Sequence, residues 1–115
     1  MEKIALFAFN GEMTCFVHVL LNALDLHQKG HEALIVFEGA SVKLAPELNR
    51  ESNPFHALYA RALQAGIVAG VCRACSAKLG VLAEVESTGL PLLDDMQGHP
   101  SMSRYIEEGF RIITF

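Results

Sequence analysis

The sequence lacks an excess of positive charge, a long apolar run and an even number of cysteines. Nine Lys and Arg against thirteen Asp and Glu leave a net charge of −4 at pH 7. This balance does not predict the basic surface that binds a nucleic acid. No apolar run approaches the ~20 residues that span a bilayer, so we expect no membrane segment. The first residues lack the basic start and small-residue cleavage site of a signal peptide, which favours a cytoplasmic protein.

The cysteine count is odd, which makes a poor disulfide framework. In a reducing cytosol we expect Cys15, Cys72 and Cys75 to be free, redox-active or metal-bound. Tryptophan is absent altogether. A thioredoxin fold, in which a tryptophan precedes the Cys-x-x-Cys pair, is therefore not expected.

Apolar residues are what the chain has in excess. Hydrophobic residues make up 51% of its 115 residues, before its 9 glycines are added. The usual total with glycine is about 45–50%. The excess predicts apolar surface hidden between subunits, and so a homo-oligomer of at least two copies. The length predicts one domain, residues 1–115, with a core of its own.

Short apolar runs alternate with helical patterns along the whole chain. The runs predict strands over residues 4–9, 33–37, 67–71, 90–93 and 110–115. This alternation predicts an α/β fold, with a five-stranded parallel sheet inside a three-layer α/β/α domain and right-handed crossovers. Pro91 cannot donate a ladder hydrogen bond, so the fourth strand is expected at an edge. The order of the strands does not follow from the pattern. Residues 39–52 read as a long loop with a short helical turn, and residues 110–115 as a core strand.

The pair Cys72-x-x-Cys75 is the main candidate for chemistry. It lies where the third strand ends and a helix begins. Free N–H groups and the helix dipole at such a position favour thiolate, and Arg73 adds positive charge. We therefore expect Cys72 to be the most reactive thiol. The alternative is that Cys72 is simply a buried small residue.

A second motif, Cys15-x-x-His18, opens the first helix at the same sheet edge. With Cys72 and Cys75 it would complete a zinc set of three sulfurs and one nitrogen. The opposing interpretation is that Cys15 and His18 lie on a solvated helix face with Asn22. The remaining histidines are scattered and are expected to be surface residues: His27, His31, His56 and His99. Asp94 and Asp95 are likewise expected to be solvated, and no phosphate-loop or dinucleotide motif is present, so no cofactor is predicted.

The order and spacing of several segments resemble the DsrE/DsrF-like family of small sulfur-relay proteins. The first helix ends in Lys29-Gly30-His31-Glu32, and the second strand ends in Phe37-Glu38-Gly39. Cys72 is followed eight positions later by Gly80-Val81, which matches the spacing around the acceptor cysteine of relay members. The closing segment, residues 107–113, is similar to the family's last helix and strand.

The resemblance implies homo- or hetero-oligomers and a cysteine that receives sulfane sulfur as a persulfide and passes it to a partner protein. Cys72 takes that role by position, with Cys75 as a second thiol that resolves the persulfide and Arg73 beside them. The leading hypothesis is thus a cytoplasmic persulfide carrier or sulfurtransferase-like protein with a sulfur donor or acceptor as partner, and no metal is assigned to it. The alternatives are a non-catalytic oligomeric binding module that uses the 39–52 loop, and a thiol-redox or zinc site.

Overall fold

A computed structural model describes all 115 residues, in which strands and helices alternate. The strands are β1 (Lys3–Ala8), β2 (Glu32–Phe37), β3 (Val68–Cys72), β4 (Leu92–Leu93) and β5 (Arg111–Thr114). The helices are α1 (Met13–Gln28), α2 (Leu44–Leu48), α3 (His56–Gln64), α4 (Arg73–Lys78), α5 (Leu82–Ser87) and α6 (Met102–Glu107), and a 3₁₀ helix spans Gly39–Lys43. None of these helices is both long and apolar enough to cross a membrane.

The five strands form one parallel sheet in the order β4-β3-β2-β1-β5. The predicted fold class, a three-layer α/β/α domain with a five-stranded parallel sheet, is confirmed. The fourth strand lies at an edge, which confirms the prediction from Pro91. Strands β2, β3 and β4 are consecutive neighbours, so their carboxyl ends lie side by side.

Alternate side chains of the strands point to two unequal apolar layers. Ile4 and Leu6 of β1 belong to a layer of 21 buried residues that α1, α2, α3 and α5 also supply. Ala5 and Phe7 belong to a layer of 6, to which α6 contributes Tyr105. The connections from β1 to β4 all run in one direction across the sheet, so their helices cover one face. The connection from β4 to β5, which contains α6, returns to the far side of β1 and therefore covers the other face.

Three expectations about the elements need correction. Residues 39–52 hold a 3₁₀ helix and α2, and they are more helical than predicted. The pair Asn53-Pro54 predicts a helix start with Asn53 as the N-cap, but α3 begins at His56, and Asn53 accepts a hydrogen bond from the N–H of Phe55 in the turn before it. β5 is an edge strand, with Ile113 44% exposed, and the predicted core strand over residues 110–115 is wrong.

Gly70 allows β4 to pack closely against β3. A Cβ atom at this position would lie 2.5 Å from the carbonyl oxygen of Pro91 and 2.9 Å from Cγ of Leu93. The carbonyl of Pro91 accepts a hydrogen bond of 2.9 Å from the N–H of Val71. Since the segment after β4 carries part of the site described below, this close approach determines where that segment lies.

Candidate functional site

Cys72 and Cys75 begin α4 at the carboxyl end of β3. Cys72 is the last residue of the strand and the N-cap of the helix, and its sulfur accepts a hydrogen bond of 3.3 Å from the N–H of Cys75. The hydroxyl of Ser76 donates to the carbonyl of Cys72 at 2.7 Å and holds the first turn. Cys72 is fully buried, whereas Cys75 is partly exposed, and no disulfide joins them.

Glu38 enters the site from the end of β2, which neighbours β3. Glu38 is 9% exposed. Its backbone N–H donates to the carbonyl of Ala8 at 2.9 Å and lies 3.1 Å from the hydroxyl oxygen of Ser41. Ser41 in turn donates to Ala8 at 2.6 Å, so the chain after β2 is tied back to β1. These bonds direct a largely buried carboxylate toward the end of β3.

His99 enters from the other side, after β4. Residues Met96 and His99 exchange two backbone hydrogen bonds of 2.7 and 2.9 Å around Gln97 and Gly98, which have φ angles of 53° and 86°. Two positive φ angles at the centre of a tight turn characterise the type I′ turn, and Gly98 adopts one without steric cost. The carbonyl of Gly98 accepts a hydrogen bond of 2.9 Å from the N–H of Ala74, which docks the turn on α4.

Four ligating side chains therefore meet at one point. The Nδ1 atom of His99 lies 3.2 Å from Sγ of Cys72, 3.7 Å from Sγ of Cys75 and 3.4 Å from Oε1 of Glu38. All four ligand atoms lie within 4.8 Å of one another. We call these residues, Glu38, Cys72, Cys75 and His99, the four-residue cluster.

Burial dominates the ionisation of the cluster. Burial raises the pKa of the Cys72 thiol to about 12, and the N–H of Cys75 offsets only part of this effect. Burial also raises the pKa of Glu38, against the attraction of His99. Burial therefore opposes the expectation that the helix N-terminus makes Cys72 the most reactive thiol, since loss of hydration outweighs the dipole of a six-residue helix.

Arg73 lies away from both sulfurs. Its Nε atom pairs with Asp94 at 3.2 Å, and both side chains are about half exposed. No hydrogen bond joins the guanidinium to Cys72 or Cys75, and the geometry lends no support to its expected role on the thiolate. Asp95 pairs with Arg104, so the two neighbouring carboxylates serve surface ion pairs.

The four-residue cluster differs from the zinc set that the sequence offered as an alternative. Cys15 and His18 are exposed on α1, on a face shared with Asn22, and neither belongs to the cluster. The alternative zinc set is therefore wrong in these two members, and the interpretation of Cys15 and His18 as part of a solvated helix face is confirmed. The expectation that His99 is a plain surface histidine is also wrong.

An open cavity leads from the surface to the cluster. It has a volume of about 320 Å³ and is lined by Gly39, Ala40, Cys75, Lys78, Leu79 and His99. Cys75 and His99 therefore face the cavity, and Cys72 lies behind them. A reagent that enters the cavity meets Cys75 first.

Sequence reasoning missed Glu38 and His99. Glu38 is an acid directly after a buried strand, and His99 stands in a turn beyond the edge strand. Each is a weak signal alone. They gain meaning only once β2 and β4 are known to flank β3, which the sequence pattern left open.

The comparisons with known proteins identify a family and related chains. The model of the DsrE/DsrF-like family matches residues 5–115. An uncharacterised protein of Methanocaldococcus jannaschii is 34% identical over 101 residues, which cover 88% of this chain and 80% of that protein. A short uncharacterised protein of Archaeoglobus fulgidus is 40% identical over 37 residues, 32% of this chain and all of that protein. Among solved structures, a conserved protein of unknown function from Bacteroides thetaiotaomicron matches with a TM-score of 0.65 and 21% identity, covering 96% of this chain and 94% of that chain.

Proposed function

The chain belongs to the DsrE/DsrF-like family, and on that premise we propose that it is a persulfide carrier that uses the Cys72–Cys75 pair. The family points to sulfur relay as the general kind of function. The observation that carries the proposal is the placement of two free thiols within 4.8 Å of each other, one facing a cavity and one buried behind it. In this proposal a sulfur atom received at Cys75 is shielded from solvent once it has passed to Cys72.

The transfer starts at Cys75 because this thiol faces the cavity. Its thiolate attacks the outer sulfur of a donor persulfide, and a new bond forms between Cys75 Sγ and that sulfur. The S–S bond of the donor breaks, and the donor leaves as a thiolate. The Nδ1 atom of His99, 3.7 Å from Cys75 Sγ, takes the proton of Cys75 and returns it to the departing thiolate.

The outer sulfur then passes to Cys72 by the same exchange. The thiolate of Cys72 attacks the outer sulfur, and Cys75 leaves as a thiolate, so neither step needs an external oxidant. Cys72 lies 3.2 Å from the same nitrogen of His99, which accepts its proton. Burial keeps the resulting persulfide away from water and from stray thiols. This order makes Cys72 the storage position, as its place in the family pattern implies, and Cys75 the entry.

Mass spectrometry after incubation with a sulfane sulfur donor tests the proposal. The wild-type chain is expected to gain the mass of one sulfur atom, and Cys15→Ser is the matched control that gains it too. Cys75→Ser is expected to lose rapid loading. Cys72→Ser is expected to load at Cys75 and to lose the sulfur faster. A wild-type chain that takes up no sulfur, or a Cys75→Ser variant that loads at the full rate, would refute it.

The cavity also supports the second candidate function, a non-catalytic binding module. Its volume of about 320 Å³ lies at the lower end of the ~300–1,000 Å³ range of small-molecule pockets. The 3₁₀ helix Gly39–Lys43 contributes to its wall. A binding module takes up no sulfur on either thiol, so the loading experiment separates the two functions.

We further propose that copies of the chain associate. At the β5 edge of the sheet, Ile113 and Phe115 are exposed. Ile106 of α6, on the face of the sheet with the smaller apolar layer, is 58% exposed. Exposed apolar side chains of this size mark surfaces that another chain covers. Light scattering is expected to find at least a dimer at micromolar concentration, and only monomer would contradict this. A sulfur donor or acceptor protein is the other partner that the proposed function requires.

A further inference from the structure

We propose that Glu38, Cys72, Cys75 and His99 bind one zinc ion as four protein ligands. The inference goes beyond sulfur transfer and does not rest on it, because it concerns the cluster as a donor set for a cation. Two thiolates, one imidazole nitrogen and one carboxylate oxygen are ligands that Zn²⁺ accepts in tetrahedral sites.

The separations from His99 Nδ1 fit a tetrahedron. With Zn–S bonds of about 2.3 Å and Zn–N or Zn–O bonds of about 2.05 Å, tetrahedral ligands lie about 3.6 Å apart for nitrogen to sulfur and about 3.3 Å apart for nitrogen to oxygen. The observed distances from His99 Nδ1 are 3.2 and 3.7 Å to the two sulfurs and 3.4 Å to Glu38. These three distances lie within about 0.4 Å of the tetrahedral values, and all four ligand atoms lie within 4.8 Å of one another.

Three ligand atoms converge on the same nitrogen, and this distinguishes a metal site from a catalytic triad. In a triad the base uses one ring nitrogen for the nucleophile and the other for the acid that orients it. Here Cys72, Cys75 and Glu38 all approach Nδ1 of His99. One nitrogen carries at most one proton, so hydrogen bonding satisfies one of these three contacts. A cation between them satisfies all four groups at once.

The scaffold holds the ligands before any ion binds. Cys72 and Cys75 are fixed by the first turn of α4, Glu38 by the backbone bonds at the end of β2, and His99 by a turn docked on Ala74. Glu38 is a largely buried carboxylate that lies 3.4 Å from Nδ1 of His99. The cavity beside Cys75 and His99 provides the entry path for the ion.

Zinc titration of the metal-free protein tests the inference, with bound metal measured by mass spectrometry of the native protein and by competition with a colorimetric chelator. One zinc per chain is expected, and Co²⁺ in its place is expected to show the intense visible bands of a tetrahedral site with thiolate ligands. Cys15→Ser is the matched control and is expected to keep the wild-type affinity.

The ligand variants His99→Asn, Glu38→Gln and Cys75→Ser are each expected to weaken zinc binding. The loss should exceed the ~10–100-fold that follows when a metal ligand loses a residue hydrogen-bonded to it. These three are independent of Cys72, the fully buried ligand, whose replacement risks the fold. Circular dichroism confirms that each variant is folded. Unchanged affinity in His99→Asn and Glu38→Gln, or an octahedral Co²⁺ spectrum, would overturn the site.

Sulfur loading provides the separate readout. Zinc that occupies both sulfurs is expected to block loading until a chelator removes it, and the Cys15→Ser control is expected to be blocked and released in the same way. Zinc-loaded protein that takes up sulfur at the full rate would overturn the assignment of both cysteines as ligands. Zinc binding without any sulfur uptake by the metal-free chain would leave the zinc site standing and refute the carrier function alone.

Discussion

Two cysteine motifs of the same spacing open helices at the same edge of the sheet, and they have opposite surroundings. Cys15-x-x-His18 lies within α1 after β1, and both side chains face solvent. Cys72-x-x-Cys75 begins α4 after β3, and its sulfurs meet Glu38 and His99. Spacing and position along the chain are therefore not enough to make a site.

The difference lies in the neighbours of each strand. β3 has β2 on one side and β4 on the other, and the segments after both strands turn toward its end with a ligating residue each. Cys72 is the N-cap itself, so its sulfur points back to the first N–H groups of α4. Cys15 is the third residue of α1, and the apolar face of that helix, which includes Phe16, turns to the core in its place.

The largest expected difference between the two motifs is in thiol reactivity. A pKa raised from 9.0 to about 12 lowers the thiolate fraction of Cys72 at neutral pH about 1,000-fold relative to the unfolded chain. Cys72 is therefore expected to alkylate at least that much more slowly in the native protein than in urea. Exposed Cys15 is expected to differ little between the two states. Peptide mapping after timed iodoacetamide pulses measures both, and rapid native alkylation of Cys72 would contradict this account of its burial.

Gly70→Ala is expected to disturb the four-residue cluster without replacing any of its four residues. The new Cβ would lie 2.5 Å from the Pro91 carbonyl, so β4 must move, and overpacking of this kind costs about 1–3 kcal/mol. The turn that carries His99 moves with β4, so affinity for zinc is expected to fall as well. Gly30→Ala is the control, since nothing lies within 4 Å of its Cβ and it tests only the cost of a positive φ. Urea denaturation gives both stabilities, and equal zinc affinity in Gly70→Ala and the wild type would argue against this role of β4.

The stability of the fold is expected to fall between pH 8 and pH 10 because of Cys72. Its folded pKa lies above its unfolded value of about 9, so the stabilisation it gives is complete below pH 9 and is lost as the pH rises toward 12. The loss reaches about 1 kcal/mol at pH 10, since each pH unit above the unfolded pKa is worth up to about 1.4 kcal/mol. Urea denaturation at pH 8 and pH 10 measures it. Cys72→Ala is expected to show a smaller change, and an equal change in the two proteins would exclude Cys72 as the cause.

Arg73→Gln is expected to have the smallest effect. The ion pair of Arg73 with Asp94 is about half exposed, and pairs of this kind contribute about 0–1 kcal/mol. Sulfur loading and zinc affinity are expected to stay close to those of the wild type, because the guanidinium contacts neither sulfur. A tenfold fall in the loading rate would restore the role that the sequence suggested for Arg73 at the thiolate.

The amino-acid sequence by itself determined the parallel α/β architecture, the edge position of β4 and the placement of Cys72 between a strand and a helix. These are consequences of local pattern: apolar runs, helical periodicity, glycine stops and a proline that cannot pair. The family resemblance followed from the order of the same segments, and the family match over residues 5–115 confirms it.

Only the tertiary structure decided which residues join the two cysteines and how their thiols ionise. Glu38 and His99 lie 34 and 27 positions from Cys72, and they meet it because β2 and β4 flank β3. Strand order depends on which long-range packing of helices on the sheet is best, and no local pattern encodes it. The ionisation of Cys72 depends on tertiary structure for the same reason: the dipole of α4 is a local property, but the burial that opposes it comes from the neighbours of β3.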